Sequence, residues 1–265
     1  MGRGGRGRGD AAGNAPGRRA HRRAAAGGVD AVFRRGGPRV KAYLRAVLAL
    51  AAKDALLERK SFETLIATAS FALLLAVVFH FAFDIASAEG ARFFPGALWT
   101  AILFAGTIGM ARSARVDEVE GRGRGAALAP VDRSALFLGK CLFHLALLAV
   151  VEAAAVPVFA AAFALRGMAL PHLVILGLFL GTWGFAALGT LLAGATAGER
   201  ATGLLLPVVL FPLLVPVILG GAAVVSAGVT GEVTAATGSW LRLLVVFDVL
   251  FTAVPALLYE SLMEV

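Results

Sequence analysis

Residues 94–111, FPGALWTAILFAGTIGMA, and residues 135–165, ALFLGKCLFHLALLAVVEAAAVPVFAAAFAL, enclose a charged island at 112–133, RSARVDEVEGRGRGAALAPVDR. A helix needs about 20 apolar residues, at roughly 1.5 Å each, to cross roughly 30 Å of hydrocarbon. The two runs are therefore read as membrane spans and the island as the junction between them. A membrane protein with one substantial polar junction usually meets a soluble partner there, so function is sought at this segment first.

Working outward, four further runs have the length and composition of spans, at 62–83, 170–197, 204–226 and 240–259. Hydrophobic residues make up 59% of the 265-residue chain, more than an ordinary soluble domain carries. Transmembrane strands alternate polar and apolar residues over about ten positions. These runs are apolar around their whole circumference, so the expected fold is all-α: a polytopic, six-transmembrane-helix bundle forming one membrane domain over 39–265.

Orientation follows from basic residues, which are retained on the cytoplasmic side of short loops. With the N-terminus inside, six spans return the C-terminus inside. All of the 25 Lys and Arg residues then lie on inner segments except Arg92, Arg166 and Arg242. The island becomes cytoplasmic. In this topology Trp99 and Trp240 are expected near the outer headgroups, where an amphipathic indole is favoured, and Trp183 against a neighbouring helix.

The first 38 residues are Arg- and Gly-rich and poor in apolar residues, so burial cannot offset the entropy of ordering them, and a disordered tail is expected. An RGG-type nucleic-acid role would need aromatic residues to stack bases. The tail has none before Phe33, so no nucleic-acid partner is expected. An Arg-rich, acid-poor start also fits an organellar transit peptide or an upstream translation start. Between Val40 and Lys60, Val40, Tyr43, Leu44, Val47, Leu48, Ala51 and Ala55 recur at helical spacing, with Lys41, Arg45, Lys53 and Arg59 mostly off that face. This pattern predicts a helix on the inner membrane surface, with the lipid bilayer as its partner, although Asp54 intrudes on the stripe.

No G-x-x-x-x-G-K-[ST] motif occurs, since Gly139-Lys140 is followed by Cys141, and the chain therefore has no cradle for a triphosphate. H-E-x-x-H and G-x-S-x-G are also missing, which removes the usual signatures of a metalloprotease and a serine hydrolase. No metal site and no cofactor-binding set is assignable. The single Cys141 excludes an intrachain dithiol and reads as a small apolar residue near the inner end of the third span.

Ionisable residues inside spans are weighed singly, because each costs roughly 2.5–3.5 kcal/mol on insertion scales unless paired or hydrated. His80, Asp84 and His172 fall near the outer face. His144 and Glu152 share the third span, about 80° apart on an ideal helix, and Asp248 lies inside the sixth. His80, His144, Glu152 and Asp248 are the candidate intramembrane functional residues. Gly177, Gly181 and Gly184 fall at the small-residue spacing that lets helices approach closely. Pro207, Pro212 and Pro216 are expected to kink the fifth span, and Pro157 to break the overlong third.

Three stretches resemble the haem exporter protein B family of the cytochrome c maturation system, an ABC-type permease subunit. They are FFPGALW at 93–99, LAPVDRSALFLGKCLFH at 128–144 and GERATGLLLPVVLFPLLVPVIL at 198–219. The likeness runs from about Val40 to Tyr259. The junction departs from the family pattern in reading GRGRGAAL. The resemblance implies an ABC-2-type permease architecture in the bacterial cell inner membrane, whose first inner loop docks on a separate cytoplasmic ATP-binding subunit. Asp117, Glu118 and Glu120, then Arg122 and Arg124, would present complementary charge, flanked by Arg112 and Arg115 on one side and Asp132 and Arg133 on the other. ATP is expected to be used by the partner, haem to be cargo rather than a cofactor of this chain, and the chain itself not to be an enzyme. Further implied partners are other membrane proteins of cytochrome c maturation and a second copy in a homodimer. An ABC-2-type permease for a drug, lipid or polysaccharide, or a membrane scaffold without transport, would share the same physical features.

Overall fold

The structure, a computed structural model, describes residues 39–83, 90–119, 132–195 and 202–262. The chain divides into two units, 1–42 and 43–265. Of the first, the described residues are the opening turn of α1. The tail, Asp84, Glu120, Arg122, Arg124 and the first four residues of the 198–219 stretch lie outside the described residues.

Seven helices follow one another: α1 (Arg39–Ser61), α2 (Glu63–Phe83), α3 (Gly90–Val119), α4 (Arg133–Ala162), α5 (Pro171–Ala195), α6 (Thr202–Thr230) and α7 (Ala235–Leu262). Among the described residues there is no strand. The last six helices are each long and apolar enough to cross a membrane, so the chain is an all-α, multi-pass membrane protein. α5 is central, packing against α3, α4, α6 and α7, while α2 lies against α3 and α4. The outward faces of α2 and α7 carry Leu74, Val77, Val78 and Phe81, and Val245, Val246 and Val249, all exposed. In a bundle of spans such faces meet lipid tails, where exposed apolar side chains cost nothing.

Polar ends extend the helices past their apolar runs. α3 has 30 residues, about 45 Å of helix against roughly 30 Å of hydrocarbon. Its surplus is Arg112–Val119, the first part of the charged island. The junction therefore begins as helix rather than as loop.

The helix over 135–165 ends earlier than its apolar run. The Phe163 N–H donates to Phe159 O at 2.9 Å and Leu165 N–H reaches back to Ala160 O at 2.9 Å, around Ala164 at φ 50°. This is a left-handed helix stop, occupied by alanine. Pro157 does not break the helix, which runs five residues beyond it, and α6 likewise continues through Pro207, Pro212 and Pro216. A second non-glycine corner, Phe62 at φ 53°, turns α1 into α2, and Glu58 Oε1 accepts the Leu65 N–H of the new helix at 2.8 Å.

Trp99 is not in a headgroup belt. Its indole is 1% exposed and lies against two glycines from different helices. A Cβ at Gly181 would stand 2.0 Å from its ring, and one at Gly221 2.4 Å. Close approach of α5 and α6 to α3 therefore depends on those residues having no side chain. Around the indole, Phe94, Leu98, Phe159 and Phe163 complete one core cluster, with Phe159 and Phe163 stacked at 6.1 Å. A second cluster joins Met110 and Phe185 to Leu206, Leu210 and Leu214.

Candidate functional site

The charged end of α3 meets α2 and α4, and through α4 it approaches α1. Arg112 pairs with Glu63 at the start of α2. Lys140, one turn inside the apolar run of α4, donates to the Asp117 carboxylate and lies 4.0 Å from Asp54 of α1. Asp54, which intrudes on the apolar stripe of α1, is 8% exposed and sits 3.0 Å from its neighbour Lys53. The residue that spoils the amphipathic pattern is thus the one that brings α1 within ion-pair distance of Lys140 on α4.

On the far side of the junction, Asp132 caps α4. Its Oδ1 accepts from Ser134 N at 2.9 Å and from Ser134 Oγ at 2.7 Å, satisfying an orphan donor of the first turn. The Tyr43 hydroxyl is 2.8 Å from the same Ser134 Oγ. The α4 flank of the junction is therefore held to α1 through Ser134 and Tyr43 and approaches it through Lys140 and Asp54, and the α3 flank is held to α4 through Asp117 and Lys140. Gly139 lets α1 and α4 come together, since a Cβ there would stand 2.8 Å from Leu50 Cβ and 3.2 Å from Val47 O.

Between these elements is a cleft of about 350 Å³ lined by Asp54, Glu58, Lys60, Glu63, Ser113 and Asp117 among others. Of the expected docking residues, Arg112, Asp117 and Asp132 are engaged in contacts within the chain. Arg115 is exposed and Arg133 half-buried. Glu118 lies in the last turn of α3. Lys140, Asp54, Glu63 and Ser134 were not read as part of the site from sequence. The signal for Lys140 was a cation one turn within an apolar run, which costs free energy unless it is paired.

The intramembrane candidates separate. His144 and Glu152 both face α5, where His144 Nδ1 is 2.9 Å from Thr190 Oγ1 and Thr182 Oγ1 donates to Glu152 Oε1. The partners ascend α4 and descend α5 by about two turns, making two polar rungs between antiparallel helices. Such interhelical hydrogen bonds are worth roughly 0.6–2 kcal/mol in a membrane. His80, exposed near the end of α2, donates from Nδ1 to Ala162 O at 2.8 Å and so caps the last turn of α4. His172 is exposed. Asp248 alone is both buried, at 7% exposure, and without a hydrogen-bond partner for either carboxylate oxygen among the described residues. It faces Gly184, where a Cβ would stand 2.7 Å from Oδ1. Trp183 Nε1, one turn along, donates to Thr252 Oγ1 at 2.9 Å.

Six apolar helices, a charged junction tied to an amphipathic helix, and polar rungs between spans define a class: a polytopic helical membrane protein with one built polar end. The family model for CcmB protein matches residues 45–259, and the chain belongs to that family. It is similar to Heme exporter protein B of Paracoccus denitrificans (strain Pd 1222), with 34% identity over 140 residues, 53% of this chain and 64% of that protein. It is also similar to Heme exporter protein B of Rhodobacter capsulatus, with 34% identity over 141 residues, 53% of this chain and 64% of that protein. Heme exporter protein B of Pseudomonas aeruginosa is 31% identical over 147 residues, 56% of this chain and 66% of that protein. The chain thus spans just under two thirds of the length of these relatives.

Proposed function

We propose that this chain is the permease subunit of an ABC-type complex for haem export or handling in cytochrome c maturation. A separate cytoplasmic ATP-binding subunit docks on the junction at 112–133 and supplies ATP hydrolysis. The complex sits in the bacterial inner membrane, with both termini of this subunit cytoplasmic and haem as cargo. The observation that carries the reading is the family match over 45–259, which includes the junction and all six spans. Support also comes from the name Heme exporter protein B borne by its relatives and from the missing Walker motif, which leaves a transporter-like bundle in need of an external motor. ATP hydrolysis is accordingly assigned to the partner and not to this chain.

Docking falls to Arg115, Glu118, Glu120, Arg122 and Arg124, because Arg112, Asp117 and Asp132 already hold the chain's own helices. The test replaces Glu118 and Glu120 with Ala, and separately Arg122 and Arg124, in cells expressing the whole complex. Co-purification of the ATP-binding subunit and the yield of holocytochrome c are measured. Loss of both in either variant is expected. Full association and full yield in both variants would refute the docking assignment, and normal cytochrome yield in a strain lacking this subunit would refute the maturation role.

A further inference from the structure

We propose that a second cleft, at the opposite end of the bundle from the junction, binds an amphiphile through a phosphate or carboxylate group. It lies between the first turns of α3 and α7 and the last turns of α6, has a volume of about 520 Å³, and is lined by Arg92, Ser226, Thr230, Glu232, Thr237 and Trp240 with several alanines between them. That volume falls within the range of small-molecule sites. The separation from Arg112 along α3 is about 30 Å, the thickness of the hydrocarbon core.

Three features of this cleft fit an anion on an apolar body. Arg92 is exposed and forms no ion pair among the described residues, so its guanidinium is available for a phosphate or carboxylate. Helices α3 and α7, of 30 and 28 residues, both begin at the cleft, where the positive ends of their dipoles favour negative charge. Trp240 supplies an aromatic wall, held against α6 where Gly220 leaves room for its ring, and the alanines leave space for an apolar body.

Glu232 lines the same cleft and opposes an anion. This gives the two charges opposite predicted effects, which a purely structural role for them would not produce. The shared ligand chemistry has two sources, a phospholipid headgroup and the carboxylates of haem. Only the haem arm rests on the export reading, and the site does not involve the junction where the ATP-binding subunit is placed.

The experiment uses the full chain in phosphatidylcholine nanodiscs with two probes. Haem is titrated by its absorbance, and phosphatidylglycerol retention is read by native mass spectrometry. Arg92→Gln is expected to weaken binding of the occupying probe roughly tenfold, as loss of a charge-assisted hydrogen bond does. Glu232→Gln should strengthen it, and Ala236→Trp should abolish it by filling the cleft. All three positions are exposed, so the variants are expected to fold, and monodispersity on gel filtration checks this. A response with haem alone assigns the site to haem, one with phosphatidylglycerol alone to lipid, and a response with both makes the site shared. The proposal is overturned if wild type retains neither probe, if retention is indifferent to all three variants, or if Glu232→Gln weakens binding as Arg92→Gln does. None of these outcomes bears on co-purification of the ATP-binding subunit.

Discussion

Ala164 occupies a left-handed position at the end of α4, where a Cβ costs roughly 1–2 kcal/mol and glycine is free of that cost. Ala164→Gly is therefore expected to raise the melting temperature of the detergent-purified protein, and a lowered one would show that the corner is held by packing instead. Asp248 is the other residue out of balance, a buried carboxylate with no hydrogen-bond partner among the described residues. On insertion scales an Asp at a helix centre costs about 2.5–3.5 kcal/mol, so Asp248→Leu should raise stability in a denaturation assay. A drop of about 3–5 kcal/mol, the signature of breaking a buried charge pair, would contradict the absence of a partner. His80, His144, Glu152 and Asp248 were legible as polar letters in apolar runs. Their partners were not, because Thr190, Thr182 and the Ala162 carbonyl are distant in sequence and threonine is common in spans. Trp99 was misplaced for the same reason, since the space that buries it is made by glycines of two other helices.

At the scale of elements, hydropathy located every span because each apolar run must cross the same thickness. Helix ends were less legible, since α3 follows hydrogen bonding beyond its apolar limit and α4 stops at a backbone motif before its own. The helical spacing of α1 was visible, and of its apolar stripe Val40, Leu44 and Leu48 are exposed while Val47 is buried, but its tethers were not. Lys140 joins α3 and α4 and reaches toward α1 through Asp117 and Asp54. Lys140→Met removes the cation that pairs with Asp117 and approaches Asp54, and is expected to loosen the start of α4 and the end of α3. Faster amide exchange there, with exchange at the Trp99 core unchanged, is the expected result. Lys140→Arg should restore protection, and unaltered exchange in Lys140→Met would remove Lys140 from the tether.

For the whole molecule, the proposed complex joins a six-span bundle to a motor on a separate subunit. The polar contacts divide between a charged end near the junction, rungs within the membrane, and a cleft at the far end. In the proposed complex the junction lies on the cytoplasmic side, the orientation that the distribution of basic residues favours. The most direct measurement is site-specific photo-crosslinking in inner-membrane vesicles of cells expressing the whole complex. A photoreactive residue is placed at Glu120 in one variant and at Arg166, between α4 and α5, in another. The account predicts a crosslink to the ATP-binding subunit from position 120 and none from 166. Its contradiction would be a crosslink from 166, or none from 120 in a complex that still co-purifies.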